Sequence, residues 1–498
     1  MTAGPASRED AVPESHGQAG VVSKLFAYAP TTLIRIVVRF AALFIFTRLL
    51  SPSEYGVYTL VLSAVALTQT LVFLWIEAAA FRFVERARRR GWLPDLTATL
   101  GRLSIIVLAL TAFAAGVVGS LAWGFGQFSL AAAILAGLGL AALGFLTNLR
   151  REVLRAQGRA GRYALIDAAS KIGGLGLGIG FVVFGGWEGL GPIAGAMAAL
   201  TLILMVDTLT WRARPSLGKF RPALARLAFR FGSGLAVAQG AAVLLATGDR
   251  FVIAAMLGTD AAGTYAAGYG VAAQLVGFMF AGTSLAAAPL TLRTFESRGE
   301  AESVEIARRY VQLLLFLTVP AAAGLVLVAE PLAHLVIGER LAASSVVVIQ
   351  WIAPASVLAG LVTTYAELPF MLKQKTRQFG LLLGGAGVIN IALNVMLIPA
   401  AGIVGAIVAT IVSYSGALIA AIIMGRRHFP LPVPLRQLSL IALNTAVMVG
   451  VVMFNRSLMI DEFADTSLVM LAAMVAAGAV AYAACSSLML LGLRKRSG

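Results

Sequence analysis

Cysteine, histidine and charged side chains are all scarce in this chain of 498 residues. The single cysteine, Cys485, excludes an intrachain disulfide and a cysteine-based metal site. The three histidines, His16, His334 and His428, lie too far apart in sequence to have ligand spacing, so we expect no metal and no cofactor. Only 12% of the residues are charged, which is about half the share of an ordinary soluble domain. A soluble protein is therefore excluded.

Apolar residues are what the chain has in abundance. They make up 59% of it, glycine adds 52 residues, and the mean hydropathy is +0.89. The 39 Lys and Arg exceed the 23 Asp and Glu, for a net charge of +16, which in a soluble protein would suit a nucleic-acid partner. In so apolar a chain we expect no nucleic-acid partner, and the composition predicts an all-α polytopic membrane protein.

Fourteen stretches are long and apolar enough to cross a bilayer, which takes about 20 residues of helix. No strands are expected, because an unpaired strand edge cannot be satisfied in lipid. The loops between the stretches are short. The fourteen predicted transmembrane helices are 25–49, 55–80, 99–122, 128–148, 163–186, 189–211, 228–257, 262–291, 309–330, 344–372, 378–398, 402–424, 437–454 and 467–491.

The basic residues favour both this count and an orientation. Of the 39 Lys and Arg, 32 fall in the two tails and in the loops after the even-numbered helices. Only Arg48, Arg250, Arg340 and Arg456 fall on the opposite side. Because Lys and Arg are retained on the cytoplasmic side of a membrane, both termini are predicted to be cytoplasmic.

The segments that follow helices 1 and 7 repeat each other. Gly56 and Tyr58 recur as Gly263 and Tyr265, 207 positions further on. Since six is an even number of helices, two six-helix halves share one orientation and are related by an axis along the membrane normal. Repeats of this kind are common in secondary transporters, with the substrate site between the halves near mid-membrane.

Domain boundaries follow from the repeat. A basic linker between the halves alternates with apolar residues, which is typical either of an amphipathic stretch on anionic inner-leaflet lipids or of an ordinary cytoplasmic loop. The predicted units are a cytoplasmic tail (1–24), an N-lobe of helices 1–6 (25–211), the linker (212–227), a C-lobe of helices 7–12 (228–424) and a final unit with helices 13 and 14 and a basic tail (425–498).

Three motifs, at residues 47–58 (TRLLSPSEYGVY), 248–265 and 390–406, resemble the polysaccharide-transporter (Wzx-type flippase) branch of the multidrug/oligosaccharidyl-lipid/polysaccharide exporter superfamily. The resemblance implies two six-helix lobes in a V shape around a central cavity and no enzymatic activity. It also implies that an undecaprenyl-pyrophosphate-linked oligosaccharide is moved across the bacterial inner membrane for surface polysaccharide (lipopolysaccharide O-antigen, capsule or exopolysaccharide). The expected partners are that lipid-linked oligosaccharide and polysaccharide polymerase or export machinery. Helices 13 and 14 are additional to the twelve-helix plan.

Arg35 and Arg39 are the leading candidates for anion binding. They are four residues apart on helix 1, so they share one face, and Arg35 is about 15 Å from the cytoplasmic end of the helix, near mid-bilayer. Two planar guanidinium groups would suit a pyrophosphate. The alternative is an ion pair with an acidic residue of another helix, namely Glu77, Asp167 or Asp249.

Arg250 and Lys171 are the other pyrophosphate candidates. Asp249 adjoins Arg250, so a structural role is an equal alternative for that arginine. Asp167 precedes Lys171 by four residues, an order that favours an intrahelical ion pair over a free phosphate ligand.

Acidic and amide side chains inside the helices supply further candidates. We expect Glu77 and Asp207 to pair with Arg82 and Arg212, and Glu367 lies in a similar position before Lys373. Any of Glu77, Asp167, Asp207, Asp249 and Glu367 could carry a coupling proton. The polar cavity candidates, which suit sugar hydroxyls and helix–helix hydrogen bonds equally, are Gln69, Gln239, Gln274, Asn390 and Asn394.

Residues 173–180 (GGLGLGIG) are rich enough in glycine to suggest a nucleotide-binding loop. They lie within an apolar span with no strand before them, which is the wrong context for such a loop. Close packing of two membrane helices is the favoured interpretation.

Two other functions remain as alternatives to a flippase. A multidrug or cation antiporter of the same superfamily would need acidic residues in its cavity, whereas helix 1 carries two arginines. A polytopic glycan polymerase or ligase would need a sizeable outer loop, and the longest one, near 455–466, has no recognisable catalytic constellation.

Overall fold

The computed structural model describes residues 17–126, 128–210, 218–459 and 468–496, with side-chain surroundings described from residue 31 onward and not for 285, 286, 288, 458, 459 and 488–496. Within these ranges the chain is helical and contains no strand. Most of the predicted cytoplasmic tail and of the loop near 455–466 lies outside the described residues.

The helices follow one another through short connections. A short helix, Ala329–Val336, joins α9 to α10, and α2 and α10 each contain one π-helical turn, at Gln69–Phe73 and Leu361–Tyr365. The long helices are α1 (Gly17–Leu49), α2 (Pro52–Arg89), α3 (Leu93–Gly124), α4 (Phe128–Ala156), α5 (Ala160–Val183), α6 (Gly191–Thr210), α7 (Pro222–Leu257), α8 (Thr259–Arg298), α9 (Glu300–Leu327), α10 (Glu339–Leu372), α11 (376–401), α12 (403–426), α13 (Leu435–Met459) and α14 (Leu468–Arg496).

The predicted count of fourteen helices is confirmed. Twelve helices in the described ranges have the length and composition of membrane spans, and one of these, Thr376–Arg426, consists of α11 and α12 joined through a bend. The bend is at Gly402, whose φ of 57° and ψ of −137° leave the helical region and favour glycine. The fourteenth helix is α1, which is 33 residues long.

The two ends of the bundle differ in their connections. We call the end that holds the connections after the even-numbered helices the basic end. The opposite end, which holds the connections after the odd-numbered helices, is called the seal end.

Residues 212–217 of the predicted linker lie outside the described residues. α7 begins at Pro222, six residues before the predicted start of helix 7 at 228. Proline suits the first turn of a helix because its missing N–H would be unpaired there.

The motif at residues 51–54 works as a helix start. Ser51 is the N-cap of α2, and Glu54 reaches back so that its Oε2 accepts the Ser51 backbone N–H at 2.7 Å. The Glu54 N–H in turn donates to the Ser51 hydroxyl, which completes a capping box. The motif therefore fixes where α1 ends and α2 begins.

The two lobes meet at this same place in a nearly symmetric contact. A Cβ added to Gly56 of α2 would lie 2.0 Å from the carbonyl oxygen of Thr259 of α8, and one added to Gly263 would lie 2.1 Å from that of Pro52. Pro52 and Thr259 are themselves 207 positions apart, as are the two glycines. Equivalent residues of the two halves thus touch each other across a local twofold axis, as the repeat predicts.

The lobes are in direct contact at the seal end, and α2 also packs on α7 toward the basic end, where a Cβ on Gly232 would lie 2.3 Å from the carbonyl oxygen of Trp75. The hydroxyls of Ser53 and Thr259 are 2.6 Å apart at the seal end. Further along α8, a Cβ on Gly270 would contact Leu43 of α1, whereas one on Gly277, two turns later on the same face, would meet nothing within 4 Å. Toward the basic end, α1 and α8 are therefore no longer in contact at that face.

The glycine-rich run lies in α5 and packs against α6, as the sequence predicts. A Cβ on Gly195 of α6 would lie 2.1 Å from the backbone nitrogen of Gly178, and one on Gly178 would lie 3.1 Å from Cα of Pro192. Backbone meets backbone here, so the small residues allow a close approach of the two helices.

Gly195→Ala is expected to lower the melting temperature of the purified protein, at a cost of about 1–3 kcal/mol, because an added methyl group meets rigid backbone of α5. Gly176→Ala is the matched control, since a Cβ at that position of α5 would meet nothing within 4 Å. Thermal unfolding in detergent compares the two. Equal melting temperatures would contradict the proposed close contact between α5 and α6.

Candidate functional site in the N-lobe

A cavity of about 340 Å³ lies within the N-lobe and is lined by α1, α2, α4, α5 and α6. Three cationic side chains line it: Arg39 of α1, Arg151 of α4 and Lys171 of α5. No carboxylate is among the described residues of its wall, and the neutral polar groups there include the side chains of Gln69 and Asn148. The cavity belongs to one lobe only, whereas the repeat predicted a site between the lobes.

Arg35 is held in an ion pair beside this cavity. Its Nε donates to Oδ2 of Asp167 at 2.7 Å, and its Nη2 donates to the Tyr163 hydroxyl at 2.8 Å. Asp167 is fully buried, and its Oδ1 accepts a hydrogen bond from Nη1 of Arg151, also at 2.7 Å. Of the two interpretations of Arg35, the interhelical ion pair is therefore the one found, and it joins α1, α4 and α5.

The predicted ion pair between Asp167 and Lys171 is wrong. Both oxygens of Asp167 are occupied by arginines of other helices, and Lys171 has no ion pair within 4 Å among the described residues. Lys171 is exposed because its side chain opens onto the cavity. Arg39, one helical turn beyond Arg35, is also exposed in the cavity wall and has no ion pair among the described residues.

Arg151 has Asp167 as its carboxylate partner, so the two cations of the wall without an ion pair among the described residues are Arg39 and Lys171. Unpaired cations are unfavourable inside a membrane helix bundle. Lys171 lies close enough to Arg39, Arg151 and Asp167 to interact with all three electrostatically. Like charges repel more strongly where water is scarce, and the single carboxylate offsets only part of the repulsion. Charged side chains that face a cavity at membrane depth usually mark a ligand or ion pathway. A bound anion with several oxygens would relieve the repulsion and use the donors of all three side chains.

Asp207 forms a second ionic cluster toward the basic end. Its carboxylate oxygens accept from Nε of Arg150 at 2.6 Å and from Nη2 of Arg162 at 2.6 Å. The predicted partner, Arg212, lies outside the described residues. Because Asp207 is 8% exposed and doubly paired, it ties α4, α5 and α6 together.

The other two carboxylates near helix ends do not form their expected contacts. Glu77 is 6% exposed, its Oε1 has no hydrogen-bond partner, and no ion pair with Arg82 is found among the described residues. Lys373 pairs with Glu300 at 3.0 Å rather than with Glu367. Glu367 has no contact with the cluster around Asp167 among the described residues, whereas Glu77 interacts with Arg151 of that cluster and with Asn148 of the cavity wall.

Arg250 lies at the junction of the lobes, not in the N-lobe cavity. Its Nη1 donates to the hydroxyl of Ser63 of α2 at 3.3 Å, and its backbone N–H donates to Oδ1 of Asp249. The hydroxyl of Tyr265 donates to Oδ2 of Asp249 at 2.5 Å. The contacts of Asp249 and Arg250 therefore favour the structural role over the alternative, phosphate binding.

The amide side chains separate into different places. Gln69 lines the N-lobe cavity and donates from Nε2 to the carbonyl of Ala141 at 2.6 Å. Asn390 and Asn394 are fully buried, and Nδ2 of Asn394 donates to Oδ1 of Asn390 at 3.0 Å. Gln239 is exposed and Gln274 is half-buried, and neither lines the cavity. Only Gln69 joins the cationic site.

Arg151 is the site residue that the sequence did not single out. The predicted helix 4 ended at 148, so Arg151 was counted among loop residues, but α4 continues to Ala156. The sequence does indicate that helix 4 continues past 148. Leu149, Val153 and Leu154 are apolar residues at a helical spacing, which extends the buried face of the helix.

A second cavity, of about 550 Å³, is almost wholly apolar and lies between the C-lobe and the additional helices. Its walls come from α8, α9, α13 and α14, and they include Met279, Phe316, Met448 and Met474. Tyr482 of α14 donates its hydroxyl hydrogen to the carbonyl of Phe316 at 3.0 Å. The additional helices are therefore anchored on the C-lobe around a space that suits hydrocarbon.

Two repeated six-helix lobes, a cationic cavity in one of them and fourteen helices define a multi-pass membrane protein with a transporter fold. Over residues 45–346 the sequence matches the family described as "Polysaccharide biosynthesis protein", and since the match spans more than half of the chain, the protein belongs to that family. No curated protein matches the sequence.

Solved structures share the fold at low sequence identity. A lipid II flippase, MurJ, in an inward closed conformation superposes with a TM-score of 0.75 at 15% identity, covering 94% of this chain and 99% of that one. An inward-facing multidrug resistance transporter of the MATE family, MOP superfamily, gives 0.63 at 16%, covering 80% and 94%. A MOP superfamily transporter from Pyrococcus furiosus gives 0.55 at 16%, covering 81% and 94%.

Proposed function

We propose that the protein is a flippase that moves an undecaprenyl-pyrophosphate-linked oligosaccharide across the bacterial inner membrane, and that the N-lobe cavity receives the pyrophosphate. The observation that carries this proposal is the set of three cations, Arg39, Arg151 and Lys171, around one cavity without a carboxylate in its described wall. A pyrophosphate has the charge and the number of oxygens to engage three such donors. Arg35 contributes indirectly, because it shares Asp167 with Arg151.

Two further features support a lipid-linked substrate. The family is one of polysaccharide biosynthesis, and the apolar cavity beside α13 and α14 offers about 550 Å³ of space lined by aliphatic, aromatic and methionine side chains. A polyprenyl chain could bury its apolar surface there without burying any polar group of its own. We propose that the additional helices hold part of the lipid while the glycan crosses.

Orientation and partners complete the proposal. The 32 basic residues of the tails and of the loops after even-numbered helices favour a cytoplasmic basic end and an outward-facing seal end. Substrate would enter from the basic end while the seal end is closed. The lobes would then open at the seal end and close at the basic end. Anionic inner-leaflet lipids at the basic end, and the polymerase or export machinery for lipopolysaccharide, capsule or exopolysaccharide, are the partners that this direction requires.

Changing Arg39 and Lys171 together to glutamine is expected to lower surface polysaccharide at least tenfold in a complemented host, because two charge-assisted hydrogen bonds to the substrate are lost, each worth about 1.5–3 kcal/mol. Arg309→Gln is the control, an exposed arginine paired only with an exposed glutamate four residues before it. Full surface polysaccharide from the double variant, at wild-type protein level, would contradict the pyrophosphate site.

A multidrug or cation antiporter is the second candidate, since MATE transporters share the fold. The cationic wall of the N-lobe cavity disfavours it, because a cationic drug would be repelled there. Efflux of a cationic dye from proteoliposomes, driven by an ion gradient, would support this alternative. A polymerase or ligase is less favoured, because the sequence of the longest outer loop, near 455–466, carries no recognised catalytic constellation.

A further inference from the structure

The last turn of α1 makes polar contacts with the other lobe that the proposed substrate site does not use. Nη2 of Arg48 donates to the carbonyl of Leu335 at 2.6 Å, and Nη1 donates to that of Val336 at 2.8 Å. These carbonyls end the short helix Ala329–Val336. The guanidinium also stacks on the ring of Phe44 at 3.7 Å, which fixes its direction.

This contact matches the chemistry of a helix end. The last carbonyls of a helix lack partners within it and carry partial negative charge, so a cation placed there is stabilised. Arg48 has no carboxylate within 4 Å among the described residues, and its hydrogen bonds to the other lobe go to peptide carbonyls. Glu339 lies near enough to interact with the guanidinium electrostatically. The short helix is capped by a side chain from the opposite lobe.

A second contact at the same joint reinforces the first. The backbone N–H of Gly338, just beyond the short helix, donates to the hydroxyl of Thr47 at 3.1 Å. A Cβ at position 338 would lie 2.1 Å from the carbonyl oxygen of Thr47, so the close approach requires glycine. Adjacent residues of α1 thus bind both sides of one turn in the C-lobe.

We propose that Arg48, together with Thr47, is a latch that holds the seal end closed by capping the short helix of the opposite lobe. The hydrogen bonds to the carbonyls of Leu335 and Val336, and the one from the N–H of Gly338, join the two lobes and must break when α1 separates from that helix. A further bond from Nη1 of Arg48 to the carbonyl of Phe44 lies within α1 and need not break. The two bonds from Arg48 are exposed, so water can satisfy the carbonyls of Leu335 and Val336 once the joint opens, whereas the bond between Gly338 and Thr47 is buried. The latch is therefore strong enough to favour the closed state and weak enough to be reversible.

Opening of the seal end can be measured on purified protein in detergent with a single reactive cysteine. Cys485→Ser removes the only native thiol. Ala266→Cys places a reporter on α8 between Gly263 and Gly270, on the face that meets the N-lobe, where Ala266 is 3% exposed. The rate of maleimide labelling at this position reports the fraction of molecules in which the face is open. The assay needs no substrate, so its result is separate from that of the polysaccharide assay.

In this background Arg48→Ala is expected to increase the labelling rate about tenfold, the effect of losing two hydrogen bonds of ordinary net strength. Arg48→Lys, which cannot span two carbonyls, is expected to give a smaller increase of about threefold, and it provides the test if the alanine variant does not fold. Arg340→Ala is the matched control, an exposed arginine of the same joint with no ion pair among the described residues. Labelling of folded Arg48 variants at the rate of the control would overturn the latch.

Discussion

Asp167→Ala is expected to destabilise the N-lobe more than any other single change proposed for this protein. The substitution leaves two arginines, Arg35 and Arg151, without their common partner, and breaking one side of a buried ion pair costs about 3–5 kcal/mol. The side chain of Arg151 is only 14% exposed and cannot easily turn to water. A large fall in melting temperature and in the yield of folded protein should follow.

The reason for so large an effect is the geometry of Asp167. Its side chain is 0% exposed, and each carboxylate oxygen accepts one guanidinium N–H at 2.7 Å, from α1 and from α4. Asp167→Asn keeps the size and one acceptor oxygen, so it should cost less than alanine. Asp260→Ala, an exposed carboxylate at the start of α8, is the control. A melting temperature for Asp167→Ala equal to that of the control would show that the cluster contributes little to stability.

A disulfide between positions 53 and 259 is expected to stop export completely. The hydroxyls of Ser53 and Thr259 are 2.6 Å apart across the two lobes, and cysteines at these positions fall within reach of a disulfide. In a Cys485→Ser background, the double cysteine variant should cross-link on mild oxidation and hold the seal end closed. Surface polysaccharide should fall to background and return on reduction.

Each single cysteine variant is the control for this experiment, because it has the same side chain without a partner. If the seal end faces the periplasm, the disulfide should form in growing cells without added oxidant, since that compartment is oxidising. The cross-link therefore also tests the proposed orientation. Undiminished export by the cross-linked protein would rule out opening of the seal end as a step in transport.

Most of the fold was open to prediction because lipid leaves little choice. A backbone in hydrocarbon must satisfy its hydrogen bonds within a helix, so apolar length gave the number of helices, and the predicted spans agree with the structure to within several residues. The glycine-rich run was correctly assigned to packing, since only small residues let helix backbones approach closely. The repeat gave the equivalence of Gly56 and Gly263, and the structure shows that these two positions also lie in contact.

The site was less open to prediction because ion pairs between helices depend on rotation and depth. Spacing along one helix favoured Asp167 with Lys171, but two arginines on α1 and α4 reach the carboxylate with better geometry. Their pairing leaves Lys171 in the cavity. An error of eight residues at the end of helix 4 was enough to hide Arg151 among loop residues.

The sequence by itself determined the membrane-protein class, the fourteen helices and the two related halves, because these follow from the length and period of apolar stretches. Tertiary structure alone decided which cations face the cavity. Four basic residues, Arg35, Arg39, Arg151 and Lys171, lie around one buried carboxylate, Asp167, which can neutralise only some of them. The basic residues that Asp167 does not neutralise are available to an anion. Which residues these are depends on distances in three dimensions and not on spacing in the sequence.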